Sequence, residues 1–220
     1  VWELVPGGPA ACEKRLEALS EKMGPHLLRD DVLAALAELR RLAGDTAGLK
    51  QLQDARGFVR EFLVAGSFGL APAASLQEGF EPELAAAEKD VDARARFHGL
   101  RGEVGWVPLT IESPEVAVPV ARAATAQGAV TYALAHVEVA TAGDGWIVYT
   151  GPSARLWLNR SLVTSIDRTR ERLDQELLVP VRLVAGWNRL LVKVADGRGA
   201  RFSVRLVDAR GTPIVGKTSA

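Results

Sequence analysis

Cysteine is almost missing from this 220-residue chain: Cys12 stands alone. An internal disulfide and a cysteine-built zinc site are thereby excluded. Cys12 itself reads as a small apolar helix residue. Histidine is scarce too. His26, His98 and His136 lie far apart with no ligand spacing, so they suggest neither a metal site nor a nucleophile–histidine pair. Net charge is zero, with 27 basic and 27 acidic residues. The basic excess that general nucleic-acid binding needs is absent. Lysine occurs only at positions 14, 22, 50, 89, 193 and 217. No apolar run approaches the length of a bilayer-spanning helix. The Gly-x-Ser-x-Gly of a nucleophile elbow is missing. So is a glycine-rich loop placed before a helix to cradle phosphate. The chain starts on Val1 without a signal-peptide pattern, and the expectation is a piece of a longer protein.

What is present is an ordinary globular composition, 48% hydrophobic and 25% charged. Residues 1–57 read as a helical segment. Pro9 suits a first helical turn. Cys12, Leu16, Leu19 and Met23 follow at helical spacing, and Gly24-Pro25 ends the run. A second helix is expected from a capping Asp30 to Ala43, with Gly44 as its stop. Asp45 is placed to cap a third, ending at Gly57. Short amphipathic helices bury little alone. They either pack on the strand-rich region C-terminal to them or are the last turns of a helical repeat array.

Residues 58–215 read as strands, with 216–220 as a tail. Phe58 to Gly66 is the first strand candidate. Ser67 to Leu100, with Pro72, Pro82 and an acidic run, is expected to be mostly loop with at most a short helix, wrapping the domain or binding a ligand. Glu103 to Leu109 follows as one strand carrying Trp106. Val116 to Val120 is weak, because Pro114 and Pro119 interrupt it. Ala129 to Ala140, Trp146 to Thr150, Ala154 to Asn159 and Ser161 to Ser165 complete the middle, with Gly143-Asp144-Gly145 as a turn. The last three strands alternate most clearly: Val179, Val181, Leu183; Leu190, Val192, Val194; Phe202, Val204, Leu206. Each predicts one dry and one wet face. About nine strands predict a mainly β fold, an antiparallel β-sandwich preceded by short helices.

Two stretches carry more. The run Leu156-Trp157-Leu158-Asn159, with a polar turn and Val163 after it, resembles the hairpin of galactose-binding-like jelly-roll domains. Leu183 to Val194, through Gly186-Trp187-Asn188, resembles the strand that pairs with it. Phe58 to Phe68, Tyr132 and Phe202 to Gly211 resemble the opening, middle and closing motifs. The resemblance covers about residues 58 to 214 and implies a jelly-roll sandwich. Such domains occur as accessory modules of glycoside hydrolases. They also occur in bacterial envelope proteins beside tetratricopeptide repeats and transglutaminase-like domains. Phe62 stands where the family has tryptophan, Ser67 where it has proline, and Arg160 where it has glycine. Arg160 argues against the tight type I′ turn, which wants positive φ at both central residues.

The ligand-site candidates are Trp157, Arg155, Tyr149 and Trp146. If Leu156 and Leu158 fill the core, alternation turns Trp157 and Arg155 outward. An outward tryptophan beside arginine can stack on a sugar ring. It can also lie beneath the helices or the 67–100 segment, and burying its roughly 150–250 Å² favours packing. Trp187, behind Gly186, reads as a packing residue, with Asn188 bonding local backbone, and Trp106 and Trp146 read as core or sheet-edge residues. Asp144, Asp167 and Asp174 are candidate loop carboxylates for a structural calcium ion, which the resemblance suggests. Calcium wants six to eight oxygens, and no dense acidic cluster supplies them. Glu81, Glu83, Glu88 and Asp90 read as a solvated loop rather than a glycosidase pair.

The expectation is a non-catalytic accessory module that binds carbohydrate or mediates contacts within a larger bacterial envelope or secreted protein. Its partners would be a glycan or neighbouring domains of the same polypeptide, in an extracytoplasmic location. No catalytic residue, cofactor or nucleic-acid partner is indicated. The alternative is a structural spacer packed on the helices, with no small-molecule ligand. A hydrolase domain is the weakest alternative.

Overall fold

The computed structural model describes residues 6–24, 26, 28–88, 91–119, 130–168, 175–195, 200–214 and 218–219, the side chains of 87, 88, 218 and 219 excepted. It is mainly β with a helical N-terminal segment. Helix α1 spans Gly8–Met23, α2 spans Arg29–Ala43 and α3 spans Thr46–Ala55. Gly44 ends α2 in the left-handed conformation, and the Asp45 carboxylate accepts from the Gly48 amide at 2.9 Å, as an N-cap should. Asp30 does not cap α2: the cap is Leu28, without a side-chain bond. Two buried arginines hold the Asp30 carboxylate instead.

The strands are β1 (Glu61–Phe68), β2 (Arg96–Gly99), β3 (Gly102–Gly105), β4 (Val107–Thr110), β5 (Val118–Pro119), β6 (Val130–Val139), β7 (Gly143–Thr150), β8 (Ala154–Leu158), β9 (Ser161–Ile166), β10 (Leu177–Leu183), β11 (Gly186–Ala195), β12 (Arg201–Asp208) and β13 (Thr218–Ser219). All their pairings are antiparallel. The large sheet runs β4-β1-β6-β11-β8-β9, with β13 beside β6. The small sheet runs β10-β7-β12-β5, and β2 pairs with β3.

Alternation along these strands builds the space between the sheets. Phe62, Ala135, Leu156, Leu190 and Val192 enter from the large sheet, and Ile147, Val181, Phe202, Val204 and Leu206 from the small one. This is a sandwich core, with alternate residues of both sheets interdigitating.

Three local expectations change. The segment expected to be one strand at Glu103 to Leu109 is two, because Trp106 buries its indole between β3 and β4. Gly143-Asp144-Gly145 is the start of β7, and the chain turns at 140–142. The 67–100 segment carries α4 (Pro72–Gln77), α5 (Glu81–Glu88) and β2.

That segment lies on the outer face of the large sheet and makes a second core. Phe68, Tyr132, Leu134 and Leu191 meet Leu76, Ala86, Phe97 and Trp106 there. The wet face expected for β11 is consequently dry: Arg189, Leu191 and Lys193 are all buried.

The β8–β9 hairpin keeps a type I′ turn despite Arg160. Asn159 and Arg160 sit at φ 47° and 77°. The Asn159 side chain holds it in place. Its Nδ2 donates to Asn188 Oδ1 at 2.9 Å, and its Oδ1 accepts from the Arg189 amide at 2.8 Å. Asn tolerates the left-handed region better than most residues. Asn159→Ala loses both bonds and that tolerance. An equilibrium urea titration is expected to show a loss of about 2–3 kcal/mol.

Candidate functional site

The four ligand candidates fall in three places. Trp157 and Arg155 lie on the outer face of the large sheet. Trp157 is half-buried against the second core. It shares a small gap with Glu83 and Ala86 of α5 and with Arg189 and Leu191 of β11. The Arg155 guanidinium stacks over its ring at 5.3 Å. Tyr149 is 0% exposed, between the sheets, stacked on Phe202 with its hydroxyl donating to the Pro152 carbonyl at 2.9 Å. Burial pushes that hydroxyl's pKa up. Tyr149 therefore cannot join an aromatic surface: it alternates inward with Ile147.

Trp146 alternates outward, onto the outer face of the small sheet. That face is open along β10, where Pro180 and Arg182 are exposed, and covered along β12, where Arg205 and Val207 are buried. The position of Trp146 is fixed by a glycine. A Cβ on Gly145 would stand 2.5 Å from the Val207 carbonyl oxygen, so only glycine lets β7 lie this close to β12. Trp146 pairs with Pro180 of β10, and Asp144 pairs with Arg182 one pleat further on. Arg182 Nη1 stands 4.0 Å from Asp144 Oδ1, and both side chains are wide open to solvent. These residues line a shallow shelf of about 410 Å³. It shares Asp144 and Ala209 with a larger hollow of about 980 Å³ at the same end of the sandwich. That hollow is bordered by Glu138, Leu183, Asp208 and Arg210. The Asp208 carboxylate is already engaged by the Arg210 and Thr212 amides, each at 2.8 Å.

The remaining polar residues serve the fold. Lys193, 0% exposed, donates to the Glu78 carbonyl and to Glu83 Oε2, the latter at 3.1 Å. Its ammonium lies 5.0 Å from the Phe80 ring and 5.5 Å from that of Tyr132. The Tyr132 hydroxyl donates to Glu83 at 2.8 Å. Burial lowers the Lys193 pKa against the pull of Glu83, and raises that of Tyr132. Closed on all sides, this group pins α5 to the sheet.

On the other side of the sandwich, Asp30 of α2 takes Arg56 in a two-pronged pair at 2.8 and 2.9 Å. Asp30 also accepts from Arg205 of β12, whose Nη2 reaches Glu176 at 2.9 Å. His98 pairs with Glu81 at 2.9 Å on the surface; each holds the other charged, raising the imidazole pKa and lowering the carboxyl pKa.

Among the described residues no three His, Cys, Asp or Glu side chains converge to hold a metal ion. Of the calcium candidates, Asp144 belongs to the small sheet, Asp167 follows the large-sheet strand β9, and Asp174 lies outside the described residues. Asp90 lies outside them as well. No described helix is long and apolar enough to cross a membrane.

Sequence reasoning allowed the 67–100 segment to wrap the domain but gave β11 a wet face, because α4 and α5 are too short to show a helical stripe. It also misjudged Trp187, which is 49% exposed. Asn188 does bond local backbone, as expected, accepting from the Val184 amide and donating to the Val184 carbonyl. The indole beside it is left outside.

No family model and no curated protein matches the chain. Some solved structures do. The PA14 domain of the MpAFP antifreeze protein is 10% identical over 74% of this chain and 90% of its own, at a TM-score of 0.35. A PA14 sugar-binding domain from an RTX adhesin is 10% identical over 68% of this chain and 87% of its own, at 0.32. A β-glucosidase from Kluyveromyces marxianus is 16% identical over 36% of this chain, at 0.32. The present chain spans about 11% of that enzyme's length. Likenesses of this size say nothing about ligand or activity.

Proposed function

We propose that the chain is a non-catalytic accessory β-sandwich module of jelly-roll type that binds carbohydrate on its small sheet. One observation carries this: Trp146 is partly exposed on the outer face of the small sheet, at the side open along β10, beside the exposed Pro180 and the splayed Asp144–Arg182 pair. An indole face offers a sugar ring an apolar platform. A carboxylate and a guanidinium beside it offer an acceptor and a set of donors for ring hydroxyls. The family resemblance of the two tryptophan-bearing runs supports the same reading. It also supports a place within a larger bacterial envelope or secreted protein, outside the cytoplasm.

A glycan array probed with the whole chain tests this. Wild type is expected to retain at least one oligosaccharide class. Trp146→Ala is expected to weaken that binding at least tenfold, about 1.4 kcal/mol, with the melting temperature unchanged. No retained glycan would sink the reading.

A second reading, the structural spacer, is favoured by the Asp30–Arg56–Arg205–Glu176 cluster. It fastens the N-terminal helices to the sandwich, so flanking segments would be held at a fixed angle. An empty array combined with a single cooperative melt for helices and sheet would favour it.

A further inference from the structure

Resting on the carbohydrate reading, we infer that Trp187 and Glu138 form a second subsite, which takes the protonated amine of a hexosamine unit. Trp187 is the most exposed tryptophan among the described residues, and Glu138 of β6 stands directly opposite it in register. Paired residues of an antiparallel sheet project to the same face with Cβ atoms about 4.5–5.5 Å apart. The α5 cover stops short of this pair. Arg189, the next residue of β11 on that face, is already 92% covered and donates to the Ala86 carbonyl; Trp187 beyond it is half open.

The pair is pre-formed. Gly186 enters β11 at φ 86°, and the Asn188 side chain closes the turn on Val184 and Gly186. The indole is thus carried on fixed backbone, which reduces the ordering cost of binding.

The charge at the site chooses the ligand. Glu138 is half-buried, and its side chain makes no hydrogen bond or ion pair among the described residues. It also borders the 980 Å³ hollow, so a chain of sugar units has room to continue. An indole face attracts a cation through its quadrupole. A carboxylate beside it attracts the same cation and repels a uronic acid. A neutral sugar would use the indole alone. A sugar ring with a free amine, charged at neutral pH, uses both groups.

Titration calorimetry tests this with the 220-residue chain. The probes are a fully deacetylated glucosamine hexamer, its N-acetylated counterpart and hexalysine. Wild type is expected to bind the deacetylated hexamer at least tenfold more tightly than the other two. Glu138→Gln is expected to erase that preference without moving the melting temperature. Trp187→Ala is expected to weaken the deacetylated hexamer at least tenfold. Equal binding of the two hexamers, equal binding of hexalysine, or a preference that survives Glu138→Gln overturns the inference. If neutral glycans still bind through Trp146, only this subsite falls. If no glycan binds at all, the carbohydrate reading falls with it.

Discussion

Replacing Lys193 with alanine is expected to lower the unfolding free energy by about 3–5 kcal/mol, read by denaturant titration. The ammonium is wholly enclosed and faces Glu83, whose side chain is 11% exposed. Removing one partner leaves a carboxylate in a site built for a pair, and breaking a buried pair costs far more than the pair contributes. Tyr132 still donates to Glu83, which softens the loss but cannot supply the missing charge. The double variant Lys193→Met with Glu83→Gln removes both charges at similar volume. It is expected to recover most of the loss. A single variant with near wild-type stability would mean that α5 is not held on the sheet in this way. In the destabilised single variant, the α4–α5 cover is expected to be the first region to exchange its amide hydrogens.

Asp30→Ala is expected to have an effect of the same size, about 3–5 kcal/mol, at the opposite side of the sandwich. The Asp30 side chain is 13% exposed, against 5% for Arg56 and 4% for Arg205. Both guanidiniums also lie over the Phe58 ring, at 5.0 and 5.7 Å. Without Asp30, two buried cations share only Glu176, which is 35% exposed and well hydrated. The helices are expected to loosen from the sheet, so limited proteolysis should cut first around residues 44–57. Asp30→Asn keeps the shape and loses the charge. Its stability should fall between those of wild type and Asp30→Ala. Equal stability of all three would show that the helices sit on the sandwich by packing alone.

These two clusters mark where sequence reasoning stops. The alternation of Val179, Val181 and Leu183, and of Phe202, Val204 and Leu206, is read directly as core, because these residues face the other sheet. Strands β11 and β12 show the same alternation, yet their second faces are also buried, at Arg189, Leu191 and Lys193 and at Arg205 and Val207. Nothing local distinguishes a lysine that meets water from one that meets Glu83, because the partner comes from a segment 110 residues away. The cover itself is hard to see. A six-residue helix opened by Pro72 and an eight-residue helix rich in alanine have no usable period.

Asp30 shows the same limit. Its position suits a cap, and only the fold brings Arg56 and Arg205 to it. Asn159 shows the opposite. Its side chain rescues a turn that Arg160 alone argues against, and the signal is local: an asparagine placed before a strained position.

The tryptophans divide along the same line. From the sequence, period 2 places Trp157 outward, whereas the inward place of Tyr149, against its reading as a ligand candidate, comes from the fold. The pattern does not say which outer face is covered. The α4–α5 cover lies over Trp157 and stops before Trp187, while the face that carries Trp146 is buried along β12 and open along β10. Trp187 reads as a packing residue because its neighbours are turn residues, yet turn residues fix a backbone without saying where the indole goes.

The most direct test compares Trp146→Ala with Trp157→Ala in one glycan titration, with a melting curve for each. The account predicts that Trp146→Ala loses binding and keeps its melting temperature, whereas Trp157→Ala keeps binding and melts several degrees lower. Lost binding at an unchanged melting temperature in Trp157→Ala, with Trp146→Ala unaffected, would contradict it.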